Sequence, residues 1–391
     1  MNKSETAFID FVRKNTVEMF FLAITILAFL LRITLFKNET YDYTGFISPW
    51  IDELSSYKGL SGLGQNIGEY NIPYMFFLLI TSFLPFNNLY EVKMFSVIFD
   101  YVGAFTAVMI VSSITKTPIF TKFNMLVYSI FLFSPVVFLD SAYWAQCDSI
   151  YVSMLLVCVY FLIKEKFSLA MIFFGIAFSF KLQAIIFFPV LIILYFASGK
   201  LSIKHFLLIP ATYLVSILPA IIAGRGIKDT LMIYIKQTNI YPILTMNCPN
   251  IYNLIRGDYE TFKNAGIILT VSLLGIAALL YIETRKKTVK EDLILLALWV
   301  SQSCIFLLPA MHERYPFITC IFSILWAAVY KKDWYISVII NTVCLLSFLP
   351  YLFQVTVINL DYLAIVNFAV LLFLSFRLFV SSPYRQELES E

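Results

Sequence analysis

Four polar clusters interrupt the apolar runs of this chain, and they combine residue types that acid–base and phosphate chemistry need. In chain order they are Glu39-Thr-Tyr-Asp42; Trp144, Gln146 and Asp148; Lys181-Leu-Gln183; and Met311-His312-Glu313-Arg314-Tyr315. A single acid beside a span is most often only a solvated loop end. The His312 cluster is harder to explain in that way, because three ionisable residues there adjoin apolar sequence, and charges near hydrocarbon tend to mark function.

The ionisable members of these clusters suit group transfer from a lipid-linked phosphate donor. Lys181 and Arg314 could bind the phosphate, the arginine through its planar fork and the lysine as a point charge, with His312 assisting. Asp42 could take a proton from an attacking hydroxyl group. Positive groups placed on the departing phosphate would then stabilise its developing charge.

The remaining members are candidates for contacts with the transferred group and its acceptor. Trp144, Gln146 and Asp148 are predicted to shape a sugar pocket, and the polar neighbours that could join them are Gln183, Glu313 and Tyr315. Further aromatic residues near the clusters are Trp50, Tyr70 and Tyr143. These rings could form a sugar-binding platform, or they could belong to the aromatic belt found at membrane interfaces.

Composition indicates the elements that must position these residues. The chain has 391 residues, of which 60% are hydrophobic and 14% charged, whereas a soluble domain is nearer half apolar and a quarter charged. Its apolar runs reach about 15–22 residues, the length that crosses a bilayer as a helix, and they lack the alternation of barrel strands. The net charge of +3 is spread through the loops and does not favour nucleic acid. The six cysteines show no paired spacing and are interpreted as packing residues.

Lysine and arginine predict the orientation of these spans, since cytoplasmic loops carry an excess of both. The short apolar run at 72–86 is the ambiguous element. If it dips into the membrane and returns, fourteen basic residues of the later loops fall inside and seven outside. The predicted spans are then 17–36, 92–114, 120–139, 149–163, 167–180, 183–198, 206–223, 265–283, 291–310, 315–330, 334–351 and 362–380.

The prediction is therefore a single all-α, polytopic membrane domain covering residues 1–391, with about twelve transmembrane helices and both termini in the cytoplasm. External loops at 37–72 and 224–264 should lie over the polar clusters, which all face the outside on this topology. Two intramembrane charges need an interpretation, Arg32 about one turn from the outer end of its span and Asp100 about two turns into the next span. We expect a structural ion pair between their helices, the alternative being that Arg32 binds the lipid phosphate.

The motifs resemble those of the bacterial membrane glycosyltransferases related to the GPI mannosyltransferases, which belong to the GT-C class. The segments that carry the resemblance are Tyr143-Trp-Ala-Gln-Cys-Asp148-Ser-Ile-Tyr151, Phe178-Ser-Phe-Lys181-Leu-Gln183-Ala, Met311-His-Glu-Arg-Tyr315, Leu244-Thr-Met-Asn247-Cys-Pro249-Asn250-Ile-Tyr252, and the early Asp42, Trp50 and Tyr70-Asn71-Ile-Pro73. The resemblance extends over most of the chain. Each motif alone would be a weak signal.

The resemblance implies a polyprenyl-phosphate sugar as donor, a glycan as acceptor, an inverting mechanism and an active site on the outer face of the cell membrane. Asp42, the acid after the first span, would be the catalytic base, and Asn247 and Asn250 would lie in the loop that covers the substrates. Many relatives have paired acids in the first loop, whereas here Asp148 stands without a near acidic neighbour in sequence. The sequence therefore leaves open a divalent cation, Mg²⁺ or Mn²⁺, as cofactor. It also leaves Asp148 as the alternative to Asp42 for the catalytic base. The alternative function is a lipid-linked oligosaccharide flippase or another transporter, which would favour polar groups at mid-membrane depth and repeated halves.

Overall fold

The apolar runs form helices in the computed structural model, which describes residues 2–238, 240–284 and 290–381. The first ten helices are α1 (Lys3–Lys14), α2 (Thr16–Leu35), α3 (Ser48–Ser55), α4 (Ile72–Thr81), α5 (Asn88–Thr115), α6 (Lys122–Phe133), α7 (Pro135–Phe138), α8 (Asp148–Ile163), α9 (Phe167–Phe180) and α10 (Phe188–Ser198). The other ten are α11 (Ile203–Phe206), α12 (Leu208–Ile222), α13 (Ile227–Leu231), α14 (Ile233–Gln237), α15 (Ile251–Leu254), α16 (Tyr259–Thr284), α17 (Lys290–Leu307), α18 (Phe317–Val329), α19 (Trp334–Leu352) and α20 (Leu360–Phe379). The basic residues predicted at 285–287 and 385 lie outside the described ranges.

Several of these helices have the length and composition of membrane spans. Within the described ranges six qualify, namely Thr16–Leu35, Asn88–Thr115, Ile203–Ile222, Tyr259–Glu283, Lys331–Leu352 and Leu360–Phe379, and a seventh is formed if the bent pair Lys122–Phe133 and Pro135–Tyr143 counts as one span. Six more apolar helices are shorter: Ile72–Thr81, Asp148–Ile163, Phe167–Phe180, Leu182–Ser198, Asp292–Leu307 and Phe317–Val329. The chain is thus a helical protein with the spans of a membrane protein.

The ambiguous run at 72–86 forms only the ten-residue helix α4. Asn71 caps its first turn and Pro73 lies at the start, where a missing N–H costs no hydrogen bond. At 1.5 Å per residue α4 is about 15 Å long, half the thickness of the hydrocarbon layer. A helix of this length is shorter than a full membrane span, and the dip and return of this run stays a prediction.

The expected ion pair between Arg32 and Asp100 is confirmed. Both side chains are fully buried, and Arg32 Nε donates to Asp100 Oδ2 over 2.8 Å. The remaining guanidinium nitrogens donate to backbone carbonyls at 3.1 and 2.9 Å, and the hydroxyls of Ser141 and Ser149 donate to the carboxylate. A buried pair satisfied in this way ties α2 to α5, and removing one partner would leave an uncompensated charge. Arg32 has no surface left with which to bind a lipid phosphate.

Two short strands were not predicted. β1 (Thr245–Met246) pairs in parallel with β2 (Met311–His312), and backbone bonds of 2.9 Å from Ala310 to Leu244 and from Glu313 to Met246 extend the contact. This pair fastens the 244–249 segment to the residues before α18. The six cysteines are unpaired and buried, as their interpretation as packing residues requires.

Candidate active site

The predicted site residues surround one large cavity. It has a volume of about 560 Å³, within the range of ligand-binding clefts. Nine of the twelve predicted residues line it: Asp42, Gln146, Lys181, Gln183, Asn247, His312, Glu313, Arg314 and Tyr315. The other three, Trp144, Asp148 and Asn250, are fully buried behind that lining.

Asp42 is positioned by the end of α2. The ammonium group of Lys93, on α5, is fully buried and donates to the carbonyls of Leu35, Phe36 and Asn38 at 3.3, 3.0 and 2.5 Å. A cation at this place satisfies carbonyl groups that a helix terminus leaves unpaired and complements the helix dipole. Lys93 therefore fixes where the chain leaves the helix, four residues before Asp42.

The Asp42 carboxylate accepts hydrogen bonds on both oxygens. Oδ2 accepts from Trp144 Nε1 at 2.9 Å and from Gln146 Nε2 at 2.7 Å, and Oδ1 accepts from the Tyr351 hydroxyl at 2.5 Å. The Thr40 hydroxyl also donates to the Trp144 carbonyl over 3.0 Å, which joins the same two segments through the backbone. Trp144 and Gln146 thus donate hydrogen bonds to Asp42. The sequence predicted instead that they shape a sugar pocket.

A tight turn aims Trp144 and Gln146 at Asp42. The helix breaks at Pro135, bends by 45° and continues as a π-helical turn at Leu139–Tyr143. Trp144 and Gln146 then donate backbone bonds back to the carbonyls of Leu139 and Asp140 at 2.8 and 3.0 Å. Ala145, between them, has a φ of 63°, a left-handed conformation that costs a residue with a Cβ roughly 1–2 kcal/mol.

Arg314 lies between two carboxylates. Its Nη2 is 3.8 Å from Asp42 Oδ2, and its Nε is 3.9 Å from Glu313 Oε1. The guanidinium also donates to Gln146 Oε1 and lies 5.3 Å from the centre of the Trp144 ring. Burial opposes the charge of Arg314, but Asp42 and the neighbouring acidic groups raise its pKa well above the usual value. Arg314 is therefore a permanent cation in the cavity wall.

Lys181 is the second cation and is already paired. It interrupts the helical hairpin between α9 and the 3₁₀ turn Leu182–Phe187, with extended backbone angles of −150° and 132°. Its Nζ donates to Asp148 Oδ2 at 2.7 Å, and the two side chains are 6% and 0% exposed. Asp148 has a second acidic side chain nearby, that of Asp140. The turn brings the two carboxylates close enough to repel each other, although the two residues are separated in the sequence.

His312 and Glu313 have strongly shifted pKa values. Burial, together with the nearby Arg314 and Lys181 charges, lowers the pKa of His312 to about 3. The imidazole is therefore neutral at physiological pH and can contribute a hydrogen bond to a phosphate but no charge. Burial raises the pKa of Glu313 to about 7, against the opposing effect of Arg314, so this carboxyl changes charge near neutral pH.

The two predicted asparagines have different positions. Asn247 lines the cavity, with a φ of 51° and an isolated bridge to His312. Asn250 instead caps the short helix α15, where its side chain accepts from the Tyr252 N–H at 3.1 Å. Among the aromatic candidates, Trp50 and Tyr70 line the cavity with ring centres 5.8 Å apart, whereas Tyr143 packs on Phe353 outside it.

The carboxylates around Asp42 do not fit a divalent cation. The described residues contain no group of three or more histidine, cysteine, aspartate or glutamate side chains placed to hold a metal. Both oxygens of Asp42 are engaged by N–H or O–H donors, and the Arg314 guanidinium lies between the Asp42 and Glu313 carboxylates. A hard metal ion would have to compete with these positive groups for carboxylate oxygens.

Sequence reasoning missed Lys93, Asp140 and Tyr351, which contact or position the predicted site residues. Each lies within an apolar run or at its end, so only an ionisable side chain at an otherwise apolar position marked Lys93 and Asp140. Tyr351 is one of 24 tyrosines and had no distinguishing signal. Comparison of the chain with models of known protein families finds no match, and comparison with curated proteins finds no significant relative.

Proposed function

We propose that this protein is a glycosyltransferase of the GT-C class that moves a single hexose, such as mannose, glucose or galactose, from a polyprenyl-phosphate carrier to an acceptor glycan. The observation that carries the proposal is the contact set of Asp42. A carboxylate at the cavity wall is held by Trp144 and Gln146 and lies beside the Arg314 guanidinium. A base and a phosphate-binding cation are the two groups that such a transfer needs side by side.

The reaction follows from these groups in one displacement step. Asp42 accepts the proton of the acceptor hydroxyl as its oxygen attacks the anomeric carbon. The bond from that carbon to the phosphate oxygen breaks, and its electron pair leaves with the polyprenyl phosphate, which gains a negative charge. Arg314 stabilises that charge with its fixed positive group, and the configuration at the anomeric carbon inverts.

Asp42 is a better candidate for the base than Asp148. Asp42 lines the cavity and is 17% exposed. Asp148 is fully buried and forms an ion pair with Lys181. In this proposal Asp148 holds the Lys181 ammonium at the donor side, and Trp50 and Tyr70 offer ring faces to a sugar.

The proposed placement in the membrane is that of the sequence prediction. About twelve helices cross the bilayer of a bacterial cell membrane, both termini are cytoplasmic, and the cavity opens to the outer face beneath the loops at 37–72 and 224–264. With α4 left out, the five other shorter apolar helices and the seven long ones, the bent pair counted as one span, would account for this number of crossings. The glycan acceptor then meets the lipid donor at the outer surface.

The test is transfer of labelled hexose from polyprenyl phosphate by the purified protein in lipid nanodiscs. Asp42→Asn keeps the shape of the side chain and removes the base, so turnover should fall by roughly a hundredfold or more while donor binding persists. Asp52→Asn, at an exposed position of α3, is the control and should leave turnover unchanged.

Two results would contradict this function. Full turnover in Asp42→Asn would remove the proposed base. If the wild-type protein moves an intact lipid-linked glycan across a vesicle membrane without breaking the sugar–phosphate bond, the protein is a transporter.

A further inference from the structure

The hydrogen bonds to Asp42 are unevenly divided between its two oxygens. Oδ2 accepts two, from Trp144 Nε1 and Gln146 Nε2, and Oδ1 accepts one, from the Tyr351 hydroxyl. Arg314 Nη2 lies 3.8 Å from Oδ2, too far for a hydrogen bond but on the same oxygen as the two donors. Each carboxylate oxygen has two lone-pair positions. Oδ2 has therefore used both, and Oδ1 has one left.

We propose that Tyr351 is a positioning residue that makes Oδ1 of Asp42 the oxygen that receives the acceptor's proton. This inference rests on the proposed function, in which Asp42 is the base. The Tyr351 hydroxyl occupies one lone pair of Oδ1 and turns the other toward an incoming hydroxyl group. A hydrogen bond donated to a carboxylate favours its ionised form, so removal of the Tyr351 hydroxyl is expected to change the pH dependence of the reaction.

The structure holds Tyr351 in place from two sides. Its ring stacks on the indole of Trp144, with centres 5.0 Å apart and planes inclined by 19°. Trp144 in turn donates to the other oxygen of Asp42, so the three side chains form a closed set of contacts. Tyr351 lies in the last turn of α19, directly after Pro350, and its side chain lines the cavity.

Among the described residues, three other charged or titratable side chains act on this carboxylate, and Glu69, Tyr70, Lys181 and His312 line the same cavity. Arg314 faces it from the segment before α18, with Glu313 beyond the guanidinium. Tyr241 interacts with Asp42 electrostatically from the loop after α14. A change confined to the Tyr351 hydroxyl leaves all three in place, so a shift in pH dependence between wild type and variant reports on the Tyr351 bond.

The test compares pH–rate profiles of hexose transfer by the full-length protein in nanodiscs. Tyr351→Phe keeps the ring and its stacking on Trp144 but removes the donor. The acid limb of its kcat profile should move to higher pH by about one unit, kcat should fall severalfold, and the KM for the polyprenyl-phosphate hexose should stay unchanged. Replacing Tyr351 by 3-fluorotyrosine, a stronger donor of the same shape, should move the limb to lower pH.

Tyr143→Phe is the matched control, because Tyr143 precedes Trp144 in the chain, packs on Phe353 and does not line the cavity. Its profile should match wild type. If Tyr351 has only a structural role, the variants at this position would have a lower yield or thermal stability, and the acid limb would not move. That outcome overturns the inference. The proposed function fails separately, if Asp42→Asn retains turnover; an unshifted limb with an inactive Asp42→Asn variant would reject only the role of Tyr351.

Discussion

Glu313 is a residue of the cavity whose charge changes with pH near neutrality. It is 3% exposed, and its oxygen is 3.9 Å from Arg314 Nε. Burial in a low-dielectric surrounding disfavours the ionised carboxyl more than one guanidinium at this distance favours it. The charge that the cavity presents to a phosphate therefore depends on whether Glu313 is protonated.

A stability measurement can detect this group. The folded-state pKa of Glu313 is about 7, against an ordinary value of 4.5. Because the unfolded chain releases this proton first, stability should fall as pH rises from about 4.5 to about 7 and level off above. The difference of about 2.5 units between the folded and the ordinary pKa lowers the free energy of unfolding by about 3 kcal/mol at pH 8. Glu313→Gln should remove that cost, so its apparent melting temperature relative to wild type should rise between pH 5 and pH 8.

The control for that measurement is Glu53→Gln, an exposed acid on α3, which should show no such trend. An equal difference between Glu313→Gln and wild type at both pH values would mean that Glu313 ionises in the ordinary range. Its carboxylate would then be a permanent anion beside Arg314.

At the scale of elements, the cavity is built from turns in unusual backbone conformations. Six non-glycine residues in the described ranges have positive φ, and three of them, Ala145, Asn247 and Ala310, lie in segments that form the cavity. Strain of this kind persists where the surrounding structure over-determines the conformation, and it is concentrated at functional sites. Here it turns the chain sharply enough to direct neighbouring side chains into the cavity.

Ala145 allows a test of this turn. Glycine adopts φ = 63° without steric cost but loses more entropy on folding, so Ala145→Gly should stay within about 1 kcal/mol of wild type in stability. A β-branched residue is a genuine outlier at positive φ, and Ala145 is fully buried. Ala145→Val should therefore destabilise the protein by about 2 kcal/mol or more, measured as a loss of several degrees in melting temperature, with a loss of transfer activity.

Ala104→Val is the matched control, since Ala104 is equally buried but lies inside α5 with helical backbone angles. Both substitutions add the same volume at a fully buried alanine. The difference between the two losses of stability therefore reports on the cost of placing a β-branched residue in the left-handed backbone conformation. If Ala145→Val is no more harmful than Ala104→Val, the left-handed turn is not a constraint on the site.

At the scale of the whole molecule, the cavity gathers residues from most of the chain onto one side. Two ion pairs hold this arrangement from within: Arg32 with Asp100 joins α2 to α5, and Lys181 with Asp148 joins the helical hairpin to α8. Positively charged loops predict which side faces the cytoplasm. The cavity and the basic loops should therefore lie on opposite sides of the membrane.

Cysteine labelling tests this orientation. In a variant without the six native cysteines, single cysteines at Lys122 and Lys204 should be protected from a membrane-impermeant thiol reagent in intact cells. Single cysteines at Glu69 and Lys228 should react, because both are exposed positions of loops predicted to be external. Permeabilised cells serve as the control, in which all four should be labelled. Labelling at Lys122 with protection at Glu69 would reverse the orientation and place the cavity at the cytoplasmic face.

Much of this architecture could be predicted from composition and local pattern. Long apolar runs must form helices, because hydrocarbon cannot satisfy an unpaired backbone, and the helices begin and end close to the predicted limits. Arg32 and Asp100 were predicted to pair because a buried charge without a partner is costly, and they form an ion pair with each other. Asp42, Lys181 and Arg314 could be selected as site residues because an ionisable side chain beside an apolar run is costly unless it has a role.

Only the tertiary structure decided what these residues contact. Trp144 and Gln146 hold Asp42 across 102 and 104 residues of chain, and Tyr351 reaches it across 309. Asp148 pairs with Lys181, and Asn250 caps a helix behind the cavity. Local periodicity records which face of a helix is apolar, but it carries no information on which distant segment packs there. The partners of Asp42 are set by how α5, the turn after Pro135 and the end of α19 pack together, and that packing has no local signature in the chain.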